Sequence, residues 1–221
     1  MAHLALWFSW KRISCLLLFL GLLVVGGWKW RQKSVLNSHY TAAEKWIECN
    51  GIDNLVKTGD VICRAGNGIW SDLAKELSIR EKRFSHAGVI LVAPDGSITV
   101  IHAEANDYTG FGSVQEQPLV QFLCGGEETM IFRLRKQFNT VEFERCARHY
   151  LGYPFDFKFD LQTTDRLYCT EFVYRVLEDL DPPVHLTTAV SEKGKQYVPV
   201  DSCYDPELFE PIIAFHFCLN P

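Results

Sequence analysis

The stretch Leu167-Tyr168-Cys169-Thr170-Glu171-Phe172-Val173 reads as the start of a helix with a cysteine on its first turn. Apolar residues recur at Phe172, Val173, Val176, Leu177 and Leu180, while Thr170, Glu171, Arg175, Glu178 and Asp179 fall on the other side. That is the stripe of a helix with one buried face. Cys169 precedes Phe172, Val173 and Val176 by three, four and seven residues, so it shares the buried face. The unpaired N–H groups and positive dipole end of a helix start favour thiolate over thiol. The same N–H groups can hold a developing oxyanion. A nucleophilic cysteine there still needs a general base. The competing reading is packing, because free cysteine is often buried.

Two histidines upstream supply the base. Phe84-Ser85-His86-Ala87-Gly88-Val89-Ile90-Leu91-Val92 reads as a strand that ends in the turn Pro94-Asp95-Gly96. Ser97 to Ala103 alternates as a second strand, which makes a hairpin. In an antiparallel hairpin the start of one strand lies beside the end of the other. His86 and His102 therefore become neighbours. An imidazole beside a second polar group suits a base held in one tautomer. A lone strand histidine is more often packed or hydrogen-bonded; a pair near a helix-start cysteine is harder to dismiss. A His86–His102–Cys169 metal site is the other reading, but it lacks a fourth ligand and the usual short spacing. No cofactor or metal is expected.

Of the 221 residues 48% are hydrophobic, enough for one domain with an N-terminal appendage. A net charge of -5 leaves no nucleic-acid footprint. None of the eight cysteines forms a CxxC pair, which argues against a zinc ribbon or thioredoxin-like site. Disulfide pairing and redox compartment stay open.

Ile13 to Trp28 carries no charge, follows Lys11 and Arg12, and is bracketed by Trp7, Trp10, Trp28 and Trp30. Sixteen helical residues span roughly 24 Å, a little short of a hydrocarbon core. An uncleaved membrane anchor is favoured slightly over a signal peptide cleaved near Val25-Gly26-Gly27. Residues 1–33 are thus an anchor or signal segment and 34–57 a linker with a short helix. Ala42, Ala43, Trp46 and Ile47 form that helix's apolar face. The remaining domain, 58–221, opens with a turn and strand at Gly59 to Arg64. Ser71 reads as the N-cap of a helix over Leu73 to Leu77. Val114 to Phe122 reads as a connection, Thr129 to Arg135 as a strand, Val141 to Tyr150 as a helix, Asp205 to Phe209 as one helical turn and Ile212 to Cys218 as a final strand.

Thr58-Gly59-Asp60-Val61, Phe84-Ser85-His86-Ala87-Gly88, Val100-Ile101-His102-Ala103, Tyr150-Leu151-Gly152-Tyr153-Pro154-Phe155-Asp156-Phe157 and Tyr168-Cys169-Thr170-Glu171 together resemble the YiiX/YebB group of permuted papain-like cysteine hydrolases, relatives of the NlpC-type cell-wall endopeptidases. The resemblance covers about Thr58 to Pro211. It implies an α+β fold, an antiparallel sheet packed against helices. It also implies Cys169 as nucleophile, His86 as base and His102 as orienting third residue, acting on an amide bond through a thioester. Members of the group usually carry Glu where this chain has His102. Glu104, on the same strand face, is a candidate substitute. Tyr168 is a candidate supporting residue, and Asp156 reads as a structural turn residue. His-His-Cys is the arrangement of lecithin retinol acyltransferase-like relatives, so an acyl-lipid hydrolase or acyltransferase is the alternative. A non-catalytic binding module on the same fold is a second alternative. The expected partners are a membrane and a peptide, amide or acyl-lipid substrate. With the leader, the resemblance implies a bacterial inner-membrane protein facing the periplasm, or a secreted one if the leader is cleaved.

Overall fold

The computed structural model describes residues 25–216, apart from 26, 30, 67–68, 107–108 and 110. Six strands form one antiparallel sheet: β1 (Val61–Ala65), β2 (His86–Val92), β3 (Ile98–Ala105), β4 (Gly112–Pro118), β5 (Glu128–Leu134) and β8 (Phe209–His216), in the order β4-β3-β2-β1-β5-β8. Two short strands, β6 (Ala189–Val190) and β7 (Gln196–Tyr197), pair separately. The helices are α1 (described over 31–49), α2 (Ile52–Leu55), α3 (Ile69–Glu76), α4 (Leu119–Leu123), α5 (Thr140–His149) and α6 (Cys169–Glu178), with a 3-10 turn at Val200–Tyr204.

Side chains on a strand alternate between faces, and here both faces are covered. Val61, Cys63, Ala87, Val89, Leu91, Ile101 and Ala103 bury into a core shared with Phe143 of α5 and Phe172, Val173 and Val176 of α6. Ile62, Ile90, Val100 and Ile131 bury on the other side, with Ala43 of α1, Ile52 of α2 and Phe122 of α4. The β2–β3 hairpin forms as expected, with Val89 opposite Ile101 and Val92 opposite Ile98. Asn139 caps α5 by accepting from Val141 N and Glu142 N, satisfying amides that have no partner within the helix.

Several local readings are corrected. The connection expected over Val114 to Phe122 is an edge strand and a helix, β4 and α4. Ser71 lies inside α3 rather than capping it. Asp205 to Phe209 is a turn entering β8, preceded by the 3-10 turn. The short helix read within 34–57 lies in α1, which is longer than that reading and is helical over 31–49. The chain divides into two units, Met1–Thr41 and Ala42–Pro221. The second starts earlier than Thr58 because Ala43, Ile52 and Val56 are buried. The apolar segment 13–28 lies outside the described residues apart from Val25, Gly27 and Trp28. Among the described residues no helix is long and apolar enough to cross a membrane.

Candidate active site

Cys169 is the first residue of α6, with Tyr168 as N-cap in extended backbone. Phe172, Val173, Val176 and Leu177 anchor the helix in the core, and Cys169 is buried with them. Its thiol lies against the backbone N–H groups of Ala87, Thr170 and Cys169 itself, and Arg64 is near enough to favour a negative charge. Burial outweighs all of these, and the thiol is pushed up to about 11. The ready-made thiolate expected from the helix start is therefore corrected: the N–H groups are present, but the resting group is a thiol.

His86 opens β2 and His102 lies near the end of β3. Their ring nitrogens, His86 Nε2 and His102 Nδ1, are 2.7 Å apart. The rings meet edge to face at 87°. Phe122 packs against both. Gly88 makes the pairing sterically possible: a Cβ there would stand 2.9 Å from the Cβ of His102. Burial first, then the Arg64 charge, holds both imidazoles well below their ordinary value, so both are neutral near pH 7.

His86 and Cys169 line one cavity of about 460 Å³, together with Arg64, Glu104, Phe155 and Phe159. No hydrogen bond joins the Cys169 sulfur to His86. With Nε2 committed to His102, the Nδ1 of His86 is the nitrogen left for a proton. His102 is fully buried behind His86. Glu104 lies beyond it, with Oε2 3.7 Å from His102 Nε2. His102 thus lies between His86 and Glu104.

The other candidates are placed elsewhere. The Tyr168 hydroxyl accepts the Val198 N–H at 2.7 Å, and the residue is buried; it ties α6 to the chain before the 3-10 turn. The Asp156 carboxylate accepts from Lys158 N at 2.9 Å, Asp160 N at 3.0 Å and the Thr163 hydroxyl at 3.2 Å. It closes the loop that carries Phe159, a non-glycine residue at φ 50, in the sparsely populated left-handed region.

Two residues escaped the sequence reading. Arg64 sits at the buried end of the apolar strand β1, directly opposite His86 in the register. It pairs with Glu104, donates to the Phe122 carbonyl at 3.0 Å and lies over the Phe122 ring. Glu171, placed on the polar face from sequence, is fully buried. Its Oε1 accepts from Arg175 at 3.0 Å, while Oε2 has no partner. Burial raises it to about 7.

Residues 56–196 match the family described as "permuted papain-like amidase enzyme, YaeF/YiiX, C92 family". The crystal structure of the metalloprotein yiiX from Escherichia coli O157:H7 is similar in fold, with a TM-score of 0.61 at 20% identity, covering 73% of this chain and 99% of that one. No curated protein sequence matches. The match spans more than half of the chain, from just before β1 to β7. The chain belongs to this permuted papain-like amidase family.

Proposed function

From that membership, an amidase-type cysteine hydrolase, we propose that the chain cleaves an amide bond through a thioester on Cys169. The observation that carries this reading is the opening of Cys169 and the His102-pinned His86 into one cavity. The Cys169 proton passes to His86 Nδ1 as the sulfur attacks the carbonyl carbon. The backbone N–H groups around Cys169 stabilise the oxyanion. His86 then gives the proton to the leaving amine, and water, deprotonated by His86, resolves the thioester. Because thiol and imidazole are both neutral at rest, proton transfer accompanies attack rather than preceding it. Cell-wall peptide is the proposed amide substrate. The uncharged segment 13–28 supports an N-terminal membrane tether, and the extracytoplasmic placement of the domain rests on the family resemblance.

A second reading, an acyl-lipid hydrolase or acyltransferase, draws on His102 in place of an acid and on the apolar walls Phe111, Phe155 and Phe159. Matched amide and ester substrates carrying the same acyl group separate the two. The amide reading expects turnover of both, with Cys169→Ala inactive and His86→Ala slowed by about 10²–10⁴. Turnover of esters alone favours the second. Failure of Cys169 to react with any acylating probe leaves a binding module on this fold.

The structural neighbour's description raises the question of a metal. The ligand atoms of His86, His102 and Glu104 lie within 4.8 Å of one another, and Cys169 belongs to no such cluster among the described residues. The set does not fit a cation as it stands. The Nδ1 of His102 is spent on His86. Both Glu104 oxygens are engaged, by Arg64 and Gln115, and the guanidinium places positive charge where an ion would sit. No step of the mechanism passes through a metal.

A further inference from the structure

For His86 Nδ1 to accept the Cys169 proton, the neutral ring must carry its hydrogen on Nε2. That hydrogen points at His102 Nδ1, 2.7 Å away. His102 Nδ1 must then be the acceptor, which places the hydrogen of His102 on Nε2. The direction of the chain thus hangs on a tautomer of a ring that touches neither substrate nor sulfur. His102 Nε2 is buried and has no hydrogen-bond partner. A buried donor without an acceptor is costly, so this tautomer needs an acceptor group to hold it.

The group is at hand. Glu104 Oε2 stands 3.7 Å from His102 Nε2, about an ångström beyond an ordinary hydrogen bond. The carboxylate is not free to wander. Arg64 pairs with Oε1, and Gln115 Nε2 donates to Oε2 at 2.9 Å. Arg64 is itself clamped by the Phe122 carbonyl and ring and by the bare backbone of Gly125, where a Cβ would stand 2.2 Å from Nη1. We propose that Glu104, clamped by Arg64, is a positioning residue that holds His102 in its Nε2–H tautomer and extends Cys169–His86–His102 into a four-residue line. The inference rests on the amidase reading of Cys169 and His86. Glu104 takes no proton: the thiol proton stops at His86, and the carboxylate only opposes the positive charge that appears there. The competing acceptor is Gln117, whose side chain also reaches His102.

The test is the tautomer itself, read from histidine ring ¹⁵N shifts in the full chain at neutral pH, together with the rate at which iodoacetamide alkylates Cys169. Native protein should show His102 as Nε2–H. Glu104→Leu should leave His102 a mixture of tautomers and slow alkylation several-fold, since only the fraction with His86 Nδ1 free can take the thiol proton. Glu104→Gln keeps an acceptor oxygen but loses the charge, so it should fall between the native chain and the leucine variant in both tautomer and rate. Glu104 is part exposed, so the leucine variant should fold, and its melting temperature checks this. If leucine does not fold, the ring shifts of Glu104→Gln and of Arg64→Lys carry the test, since both should weaken the Nε2–H signature. His102 unchanged in the Glu104 variants, or disturbed only by Gln117→Leu, overturns the proposal. The shifts need no turnover, so a chain that cleaves nothing would sink the amidase reading while leaving this result readable.

Discussion

Cys169 is surrounded by groups that favour its thiolate, and burial opposes them more strongly, leaving the thiol pushed up to about 11. His86 is held below its ordinary value by the same burial and by Arg64. The two shifts run in opposite directions, so both partners are neutral across the physiological range. Without substrate, iodoacetamide should modify Cys169 slowly at pH 7, faster as pH climbs toward the thiol's raised value, and more slowly still in His86→Ala, since the neutral imidazole takes the proton as sulfur attacks. A fast plateau from pH 6 would reveal a thiolate–imidazolium pair and contradict this. Turnover behaves differently, because the neutral imidazole is the base. It is lost only as pH falls through the lowered His86 value, so kcat/KM should hold through pH 6.5 and decline only in more acid solution. Gly88 is the tightest point behind this pair, with a Cβ meeting His102 Cβ, the Ile101 carbonyl and Val100 Cγ1 all at 2.9 Å. Gly88→Ala should destabilise the fold by about 1–3 kcal/mol, the cost of overpacking. It should also slow turnover at temperatures where the variant is still folded, by pushing His102 out of line. Denaturant melts and a kcat measurement separate the two effects.

The α6 helix was legible because Phe172, Val173, Val176 and Leu177 repeat at helical spacing, and all four are buried. The same pattern misled at Thr170 and Glu171, since periodicity sees apolar residues and not which polar ones are enclosed. Thr170 is buried because its hydroxyl donates to the Val198 carbonyl at 2.7 Å, a contact with a distant segment. Arg64 was hidden for a similar reason: Val61-Ile62-Cys63 reads as a buried strand whichever residue ends it. The β2–β3 hairpin was legible because the Pro94-Asp95-Gly96 turn fixes its register, and that register sets His102 across from Gly88, from where its ring reaches His86 diagonally. The β4 edge was not, because Ser113-Val114-Gln115-Glu116-Gln117 lacks a β-branched run and becomes a strand by pairing with β3. Glu171 gives the helix a measurable property. Its folded value near 7 lies above the ordinary 4.5, so the folded chain binds this proton more tightly than the unfolded one. The carboxyl costs nothing below pH 4.5. It destabilises progressively as pH rises to about 7, by about 3 kcal/mol in full, and not further above that. Glu171→Gln lacks this term. Its unfolding free energy should match the native chain near pH 4.5 and exceed it by pH 8. A difference independent of pH would show that Arg175 keeps Glu171 ionised throughout.

At the scale of the whole molecule the question is where the hydrolase begins. The motifs suggest Thr58, just before the first strand, and the family match begins at residue 56. The packing suggests Ala42, where the second compact unit starts. Residues between the two are structural: Ala43, Ile52 and Val56 are buried beneath the sheet, and Trp46 lies against Phe215 at 4.8 Å between ring centres. Ile52 and Val56 alone, at about 1.5–3 kcal/mol for each fully buried side chain, are worth roughly 4 kcal/mol, a large part of the stability of an ordinary domain. Removal of the first 41 residues should therefore leave a folded chain with an unchanged melting temperature and full reactivity of Cys169. Removal of the first 57 should lower the melting temperature by about 10 °C or more and expose the face carrying Ile62, Ile90 and Val100. The two truncations, compared by calorimetry and by Cys169 labelling, decide between the boundaries. Equal stability would show that α2 and the end of α1 merely rest on the sheet. The shorter truncation also tests the proposed tether: without segment 13–28, the chain should lose its partition into vesicles while Cys169 stays as reactive as before.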